Sequence, residues 1–293
     1  MYLRSIELNV PDAAQAAAFL SGVWGALDAG AVADTCYIRG TGTYPYLVAL
    51  REAETASVAS TTFVTDARTI DDIASRCAVA AVGCAPVDSA DPGGGRGVLV
   101  TFPDGERFRF LDGCGEVPAL AARDAPVKLT HVVFNARDAE YSAQIAEDLL
   151  GFTVSDRTAG MVFVRCNTAH HSIAFARAGL TSLNHIAFEM ADLDAVMRGI
   201  GRMRDAGYAP AWGPGRHGPG ANVFAYFIAP FGAVVEFSTA VEQVAPDYRT
   251  GTPEDWTWPA GRIDQWGMSD KQVDALRIAE QQFRFAAPQG VRA

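Results

Sequence analysis

The chain repeats its own plan at an offset of about 126 residues, and this internal repeat limits the folds open to it more than any other feature. SIELNVPDAAQAAAFLSGVWG, from Ser5, reads as a short alternating strand, a Pro-Asp turn and a helix with apolar residues at helical spacing. THVVFNARDAEYSAQIAEDLLGF, from Thr130, follows the same plan. TTFVTDARTIDDIASRCAVAAVG, from Thr61, and HIAFEMADLDAVMRGIGRMRDAG, from His185, each read as strand, helix and glycine stop. LVTFPDGERFRFLD and YFIAPFGAVVEFST both read as hairpins around a Pro-x-Gly turn. Each half therefore holds two strand–helix–strands units. The predicted class is α+β, two tandem modules of paired βαβββ units with mixed or antiparallel sheets.

The boundaries follow from where the pattern stops. A first module is expected over 1–120, a second over 127–240, and a tail over 241–293. The tail has no periodicity but places Trp256, Trp258 and Trp266 within eleven residues, so it is expected to be ordered and packed on the body.

Several functions are disfavoured by composition. A formal charge of −10 gives little basic surface to displace counterions from phosphate, so neither nucleic acid nor an anionic membrane is the expected partner. No apolar run reaches the ~18 residues of a spanning helix, and the N-terminus does not read as a secretory signal, so a cytoplasmic location is expected. The five cysteines are scattered and never in a C-x-x-C pair, which reads as reduced thiols. The glycines of GPGRHGPG and PGGGRG lack the strand, helix and GK[ST] of a phosphate cradle, and RMRD reads as a solvated helix face.

All five histidines lie at 131, 170, 171, 185 and 217, in the second half. Aligning the halves sets Ser5 against His131, Thr61 against His185 and Arg109 against Glu236, so only the second module offers metal-binding groups there. His131, His185 and Glu236 sit in strands whose alternation would turn them into a core, where an unpaired carboxylate is costly. Two imidazoles and a carboxylate on one cation relieve that cost. With three positions left open they match the facial triad of non-haem Fe(II) oxygenases.

LTHVVFN, CNTAHHSIAF, LNHIAFE and GPGRHGPGANVFAYFIAPFGAVVEF together resemble the catalytic module of type I extradiol dioxygenases of the vicinal oxygen chelate superfamily. The resemblance covers nearly the whole chain. It implies that His131, His185 and Glu236 hold Fe(II), with Mn(II) as the alternative ion. It further implies that His171 moves protons at bound oxygen, and that His217 and Tyr226 contact substrate hydroxyls. A small catechol-type substrate, O₂ as co-substrate and a homo-oligomer follow from the same resemblance. Strand alternation lets only one of His170 and His171 face the metal, and His170 is expected to point away. One departure from the pattern is Gly220, where many relatives carry an acid, which puts the hydrogen-bond network near His217 in question.

The expected reaction is extradiol ring cleavage. Alternatives are a glyoxalase- or isomerase-like divalent-metal enzyme of the same superfamily and a non-catalytic binding protein. Phe175, Trp212 and Phe224 are candidates for shaping the pocket, and substituted or bicyclic catechols or a hydroquinone remain open as substrates.

Overall fold

A computed structural model describes residues 1–285. The last eight residues of the expected tail, 286–293, lie outside the described residues. Four units follow one another. They are β1 (Tyr2–Val10), α1 (Ala13–Ala18), β2 (Leu27–Val32), β3 (Thr35–Arg39), β4 (Val48–Glu52); then β5 (Ser57–Val64), α2 (Ala67–Ala80), β6 (Gly83–Asp88), β7 (Arg96–Thr101), β8 (Arg107–Asp112). The third is β9 (Lys128–Ala136), α3 (Ala139–Leu150), β10 (Thr153–Arg157), β11 (Met161–Arg165), β12 (Ile173–Arg177); the fourth is β13 (Ser182–Glu189), α4 (Leu193–Asp205), β14 (Trp212–Arg216), β15 (Val223–Ile228), β16 (Val234–Thr239).

Every unit starts its helix in the same way. Asp12, Asp66, Asp138 and Asp192 are N-caps, and each carboxylate accepts from a backbone N–H three residues on. That satisfies a donor the helix itself cannot, and fixes where the strand stops and the helix begins. Only α1 is atypical, running on into a π-helical turn over Phe19–Val23.

The first and last strands of each unit pair in parallel, and two units join through antiparallel first strands. The first half thus forms the strand order β2–β3–β4–β1–β5–β8–β7–β6. The second forms β10–β11–β12–β9–β13–β16–β15–β14. A short strand, β17 (Arg284–Phe285), bridges β13 and β5.

Apolar side chains of both halves form one continuous buried cluster on the helix side of the sheets. Trp24 of the first half stacks on Phe237 of β16 at 3.6 Å between ring centroids. A Cβ on Gly199 of α4 would meet that Phe237 ring at 2.8 Å, so α4 lies against β16 because residue 199 has no side chain. Phe237 is anchored by this packing, and its neighbour Glu236 is held facing the opposite side of the strand. The tail crosses that opposite side. Its helix α5 (Val273–Ala279) and Trp256 and Trp258 roof a cavity of about 910 Å³ above β9, β13 and β15. No helix among the described residues is long and apolar enough to cross a membrane.

Candidate metal centre

Alternation along three strands builds the cavity floor. On β9, Val132 and Phe134 enter the core while His131, Val133 and Asn135 line the cavity. On β13, Ile186 and Phe188 enter the core and His185 faces the cavity; on β16, Val235 and Phe237 flank Glu236. Glu236 Oε2 stands 3.2 Å from His131 Nε2 and 3.1 Å from His185 Nε2, and the two nitrogens are 3.3 Å apart. Among the described residues this is the one group of three His, Cys, Asp or Glu side chains clustered so tightly, within 4.8 Å.

The donor set fits a divalent cation. Three donors at right angles around an ion ~2.1 Å away would stand ~3.0 Å from one another, close to the spacing found. The far atoms of each residue are also committed. His185 Nδ1–H donates to Asn184 Oδ1 at 2.7 Å, and Asn184 Nδ2 donates in turn to Asn135 Oδ1 at 2.9 Å, which fixes the amide's orientation. His131 Nδ1 bonds the Thr130 hydroxyl, and Asn222 Nδ2 donates to Glu236 Oε1 at 3.2 Å. Both Nε2 lone pairs and Oε2 are thereby left to converge on one point. Burial alone would raise the Glu236 carboxyl, but the His131 and His185 rings more than offset it and hold the group well below the ordinary carboxylate range. Burial lowers His185, so its ring is neutral, as a ligand must be.

His171 sits beside the triad, its ring 4.2 Å from that of His131. Burial and the neighbouring rings of His131, His170, His217 and His185 hold it well below the usual histidine range. His170 does not line the cavity, and the pair lies in an irregular segment before β12 rather than on an alternating strand, yet His170 is not idle. Its Nε2–H donates to Asp156 Oδ2 at 2.8 Å, and its Nδ1 lies 3.0 Å from His171 Nδ1. Asp156 is buried and also accepts from Gly251 N and the Tyr248 hydroxyl of the tail. Sequence reasoning missed Asp156 and Tyr248 because nothing local marks them: Asp156 reaches His170 from the edge strand β10, and Tyr248 reaches Asp156 from the tail.

Gly220 is explained by the same pair. Its φ is +73°, and a Cβ there would lie 3.0 Å from His170 Nδ1 and 3.1 Å from His171 Nδ1. An acidic side chain at 220 would displace the histidines, and Asp156 provides a carboxylate to the pair from the other side. Across the cavity the Tyr226 hydroxyl and His217 Nε2 are 2.9 Å apart. Burial lowers His217 to about 3 and pushes Tyr226 well above its usual value, so the phenol is protonated and the imidazole is free to accept from it.

Two expectations need correction. Of Phe175, Trp212 and Phe224, only Trp212 lines the cavity: Phe175 points into the core, and Phe224 packs beneath Trp212 and His217. The first-module counterpart of His185 is Ser60, not Thr61. Ser5 pairs with Thr62 and Glu7 with Ser60, just as His131 pairs with Ala187 and Val133 with His185. Arg109 beside Thr62 matches Glu236 beside Ala187.

Once the register is set, the first module carries an inverted site. Ser5, Ser60 and Arg109 all point at Glu7, with contacts of 2.7, 2.7 and 2.6 Å. Where the second half gathers three candidate metal ligands, the matching positions of the first are donors to a carboxylate, which Thr62 and Tyr46 also reach.

A profile described as glyoxalase/bleomycin resistance protein/dioxygenase superfamily matches residues 128–237. The Mn(II)-bound glyoxalase of Novosphingobium aromaticivorans superposes with a TM-score of 0.85 at 31% identity, over 93% of this chain and 92% of that one. The chain belongs to the glyoxalase/bleomycin resistance protein/dioxygenase superfamily. Its α+β architecture of repeated units is that superfamily's fold. Within the superfamily, metapyrocatechase 2 of Cupriavidus necator is 30% identical over 154 residues, covering 50% of this chain and 46% of the relative. The 2,2',3-trihydroxybiphenyl dioxygenase of Sphingomonas paucimobilis is 27% identical over 144 residues, covering 46% and 47%. The chain spans about half the length of these two curated relatives.

Proposed function

We propose that this superfamily member is an extradiol dioxygenase that cleaves the ring of a catechol-type substrate with O₂. His171 carries the proposal, because a buried, neutral imidazole backed by His170 and Asp156 stands on the open side of the triad. The dioxygenase relatives lend the reading further support.

His131, His185 and Glu236 would hold the divalent ion, Fe(II) with Mn(II) as the alternative. When bound, it supplies a point where substrate oxygens and O₂ lie side by side and exchange electron density. The protein's own part is positioning and proton movement. Because His170 Nε2 donates to Asp156, its Nδ1 is placed to accept from His171 Nδ1–H, and His171 Nε2 then presents a lone pair able to take a proton from a substrate hydroxyl. As that proton arrives, the Nδ1 proton passes to His170, where Asp156 stabilises the positive charge. Reversal returns a proton through His171 Nε2 when the ring opens, so one chain serves as base and then as acid. Tyr226 and His217 orient the substrate from the facing wall, and the tail excludes water.

The likeness to the Mn(II)-bound glyoxalase favours a second reading, metal-assisted isomerisation of a hemithioacetal. Protein loaded separately with Fe(II) and Mn(II) and given catechols under air would distinguish them. Ring cleavage predicts stoichiometric O₂ uptake and a yellow semialdehyde or a keto acid. A muconate diacid, or turnover of the methylglyoxal–glutathione hemithioacetal without O₂ uptake, would overturn it.

A further inference from the structure

The roof of the cavity holds a cation without a counter-ion. Of the two lysines, Lys128 on the protein's surface pairs with Glu189 at 3.3 Å, whereas no carboxylate oxygen of the described residues lies within 4.0 Å of Lys271 Nζ. Lys271 is contributed by the tail just before α5, and its ammonium sits 4.6 Å from the centre of the Trp212 ring. Trp212 stacks parallel to Tyr226 at 5.3 Å and meets His217 edge-on at 5.2 Å. The lysine therefore stands on the aromatic wall that leads down to the triad.

The charge around it is unusual for this chain. The protein is acidic, with a formal charge of −10, yet the cavity is also lined by Arg177 and Arg277. Arg277 is engaged by Asp274 at 2.7 Å. The one carboxylate in the roof, Glu280, is pushed up by burial, which weakens it as a partner for Lys271. Desolvating an ammonium without a partner is costly, and a face-on indole offsets only part of that cost.

We propose that Lys271 is the counter-ion for an anionic, carboxylate-bearing substituent on the ring of the substrate. The proposal rests on the ring-cleavage reading and narrows it. The hydroxyls point down at the triad, the ring lies along Trp212, and the substituent reaches up to the ammonium. A neutral alkyl group would fill the same space but leave Lys271 unpaired.

The test compares matched ligands under anaerobic conditions in metal-loaded protein by calorimetry. The pairs are 3-(3,4-dihydroxyphenyl)propanoate with 4-ethylcatechol, and 3-(2,3-dihydroxyphenyl)propanoate with 3-ethylcatechol. In the native protein the carboxylate member of at least one pair should bind roughly 10- to 100-fold tighter, the usual worth of a charge-assisted contact. Lys271→Met should abolish that preference and raise KM for the carboxylate substrate with little change in kcat. Lys271→Arg should restore the preference. Equal affinity within both pairs, or a preference that survives Lys271→Met, overturns the role given to Lys271 and leaves ring cleavage standing. If no catechol binds, the ring-cleavage reading has failed instead. In that case 3-phenylpropanoate, which lacks hydroxyls, decides the matter for Lys271: weaker binding to Lys271→Met sustains the anion site, and unchanged binding removes it.

Discussion

His170 and His171 face each other through their Nδ1 atoms at 3.0 Å, so one of the two nitrogens must carry the proton between them. Asp156 anchors His170 from the far side at 2.8 Å. Adjacent residues on a strand usually act on opposite faces independently. Here they are coupled, because the segment over 166–172 is irregular and lets the second ring turn back toward the first.

This coupling changes what substitution at 170 should do. His171→Phe should keep the metal and lose roughly 10²- to 10⁴-fold in turnover, the span of a positioned proton-transfer group. From alternation alone, His170→Phe would be mild. With His171 Nδ1 left without its partner, a loss of about 10-fold or more in kcat is expected, with metal content unchanged. Asp156→Asn should fall in the same direction. Steady-state kinetics beside metal analysis checks all three, and wild-type kcat in His170→Phe would show that the chain to Asp156 carries no protons.

The metal site makes a graded prediction. Glu236→Ala removes a ligand and should abolish metal retention together with activity. Asn222→Ala removes only the donor that fixes Glu236 Oε1, and support of this kind is typically worth 10- to 100-fold in metal affinity. Titration with a competing chelator should order the variants as native, Asn222→Ala, Glu236→Ala. Metal analysis of the native protein should find one equivalent per chain, since Arg109 and Glu7 occupy the corresponding place in the first half.

That first-half pair predicts stability without activity. Arg109 bonds Glu7 at 2.6 Å and Asp91 at 2.8 Å, with little exposure at any of the three. Arg109→Met leaves the buried Glu7 and the part-buried Asp91 without their cation and should destabilise the fold by about 3–5 kcal/mol. Glu7→Gln with Arg109→Met should recover part of the loss. Denaturant melts read the energies, and metal stoichiometry should stay at one throughout.

The duplicated units, the helix starts at Asp12, Asp66, Asp138 and Asp192, and the triad strands were legible because each depends on local pattern: turn residues, capping residues and alternation. The first-half register was misread by one residue at Thr61, since Ser60, Thr61 and Thr62 are three adjacent hydroxyl side chains and only the ladder with β1 shows that Ser60 and Thr62 face Glu7 while Thr61 does not. Phe175 and Phe224 look like pocket residues in sequence, but parity along β12 turns Phe175 into the core, and Phe224, on the same face of β15 as Tyr226, is covered by Trp212 and His217. Asp156, Tyr248 and Lys271 escaped notice for another reason. They come from a strand edge and an aperiodic tail, and long-range packing brings them to the site.

Glu106 gives the protein a pH dependence that can be read without substrate. It lies in the turn between β7 and β8, fully buried, with Oε1 accepting from Ser142 of α3 at 3.4 Å and Oε2 without a partner. Burial, reinforced by Asp104, pushes its carboxyl up to about 7 from the usual 4.5. A carboxyl raised on folding binds its proton more tightly in the native state, so its contribution is complete below pH 4.5 and is lost as pH rises toward 7. The shift corresponds to about 3 kcal/mol across that window. Glu106→Gln keeps the shape and cannot ionise, so it should match the native protein near pH 4.5 and be the more stable of the two at pH 8. Thermal or urea melts of both proteins at the two pH values provide the measurement. A gap between them that does not widen from the lower pH to the higher would show that Glu106 is charged in the folded protein throughout.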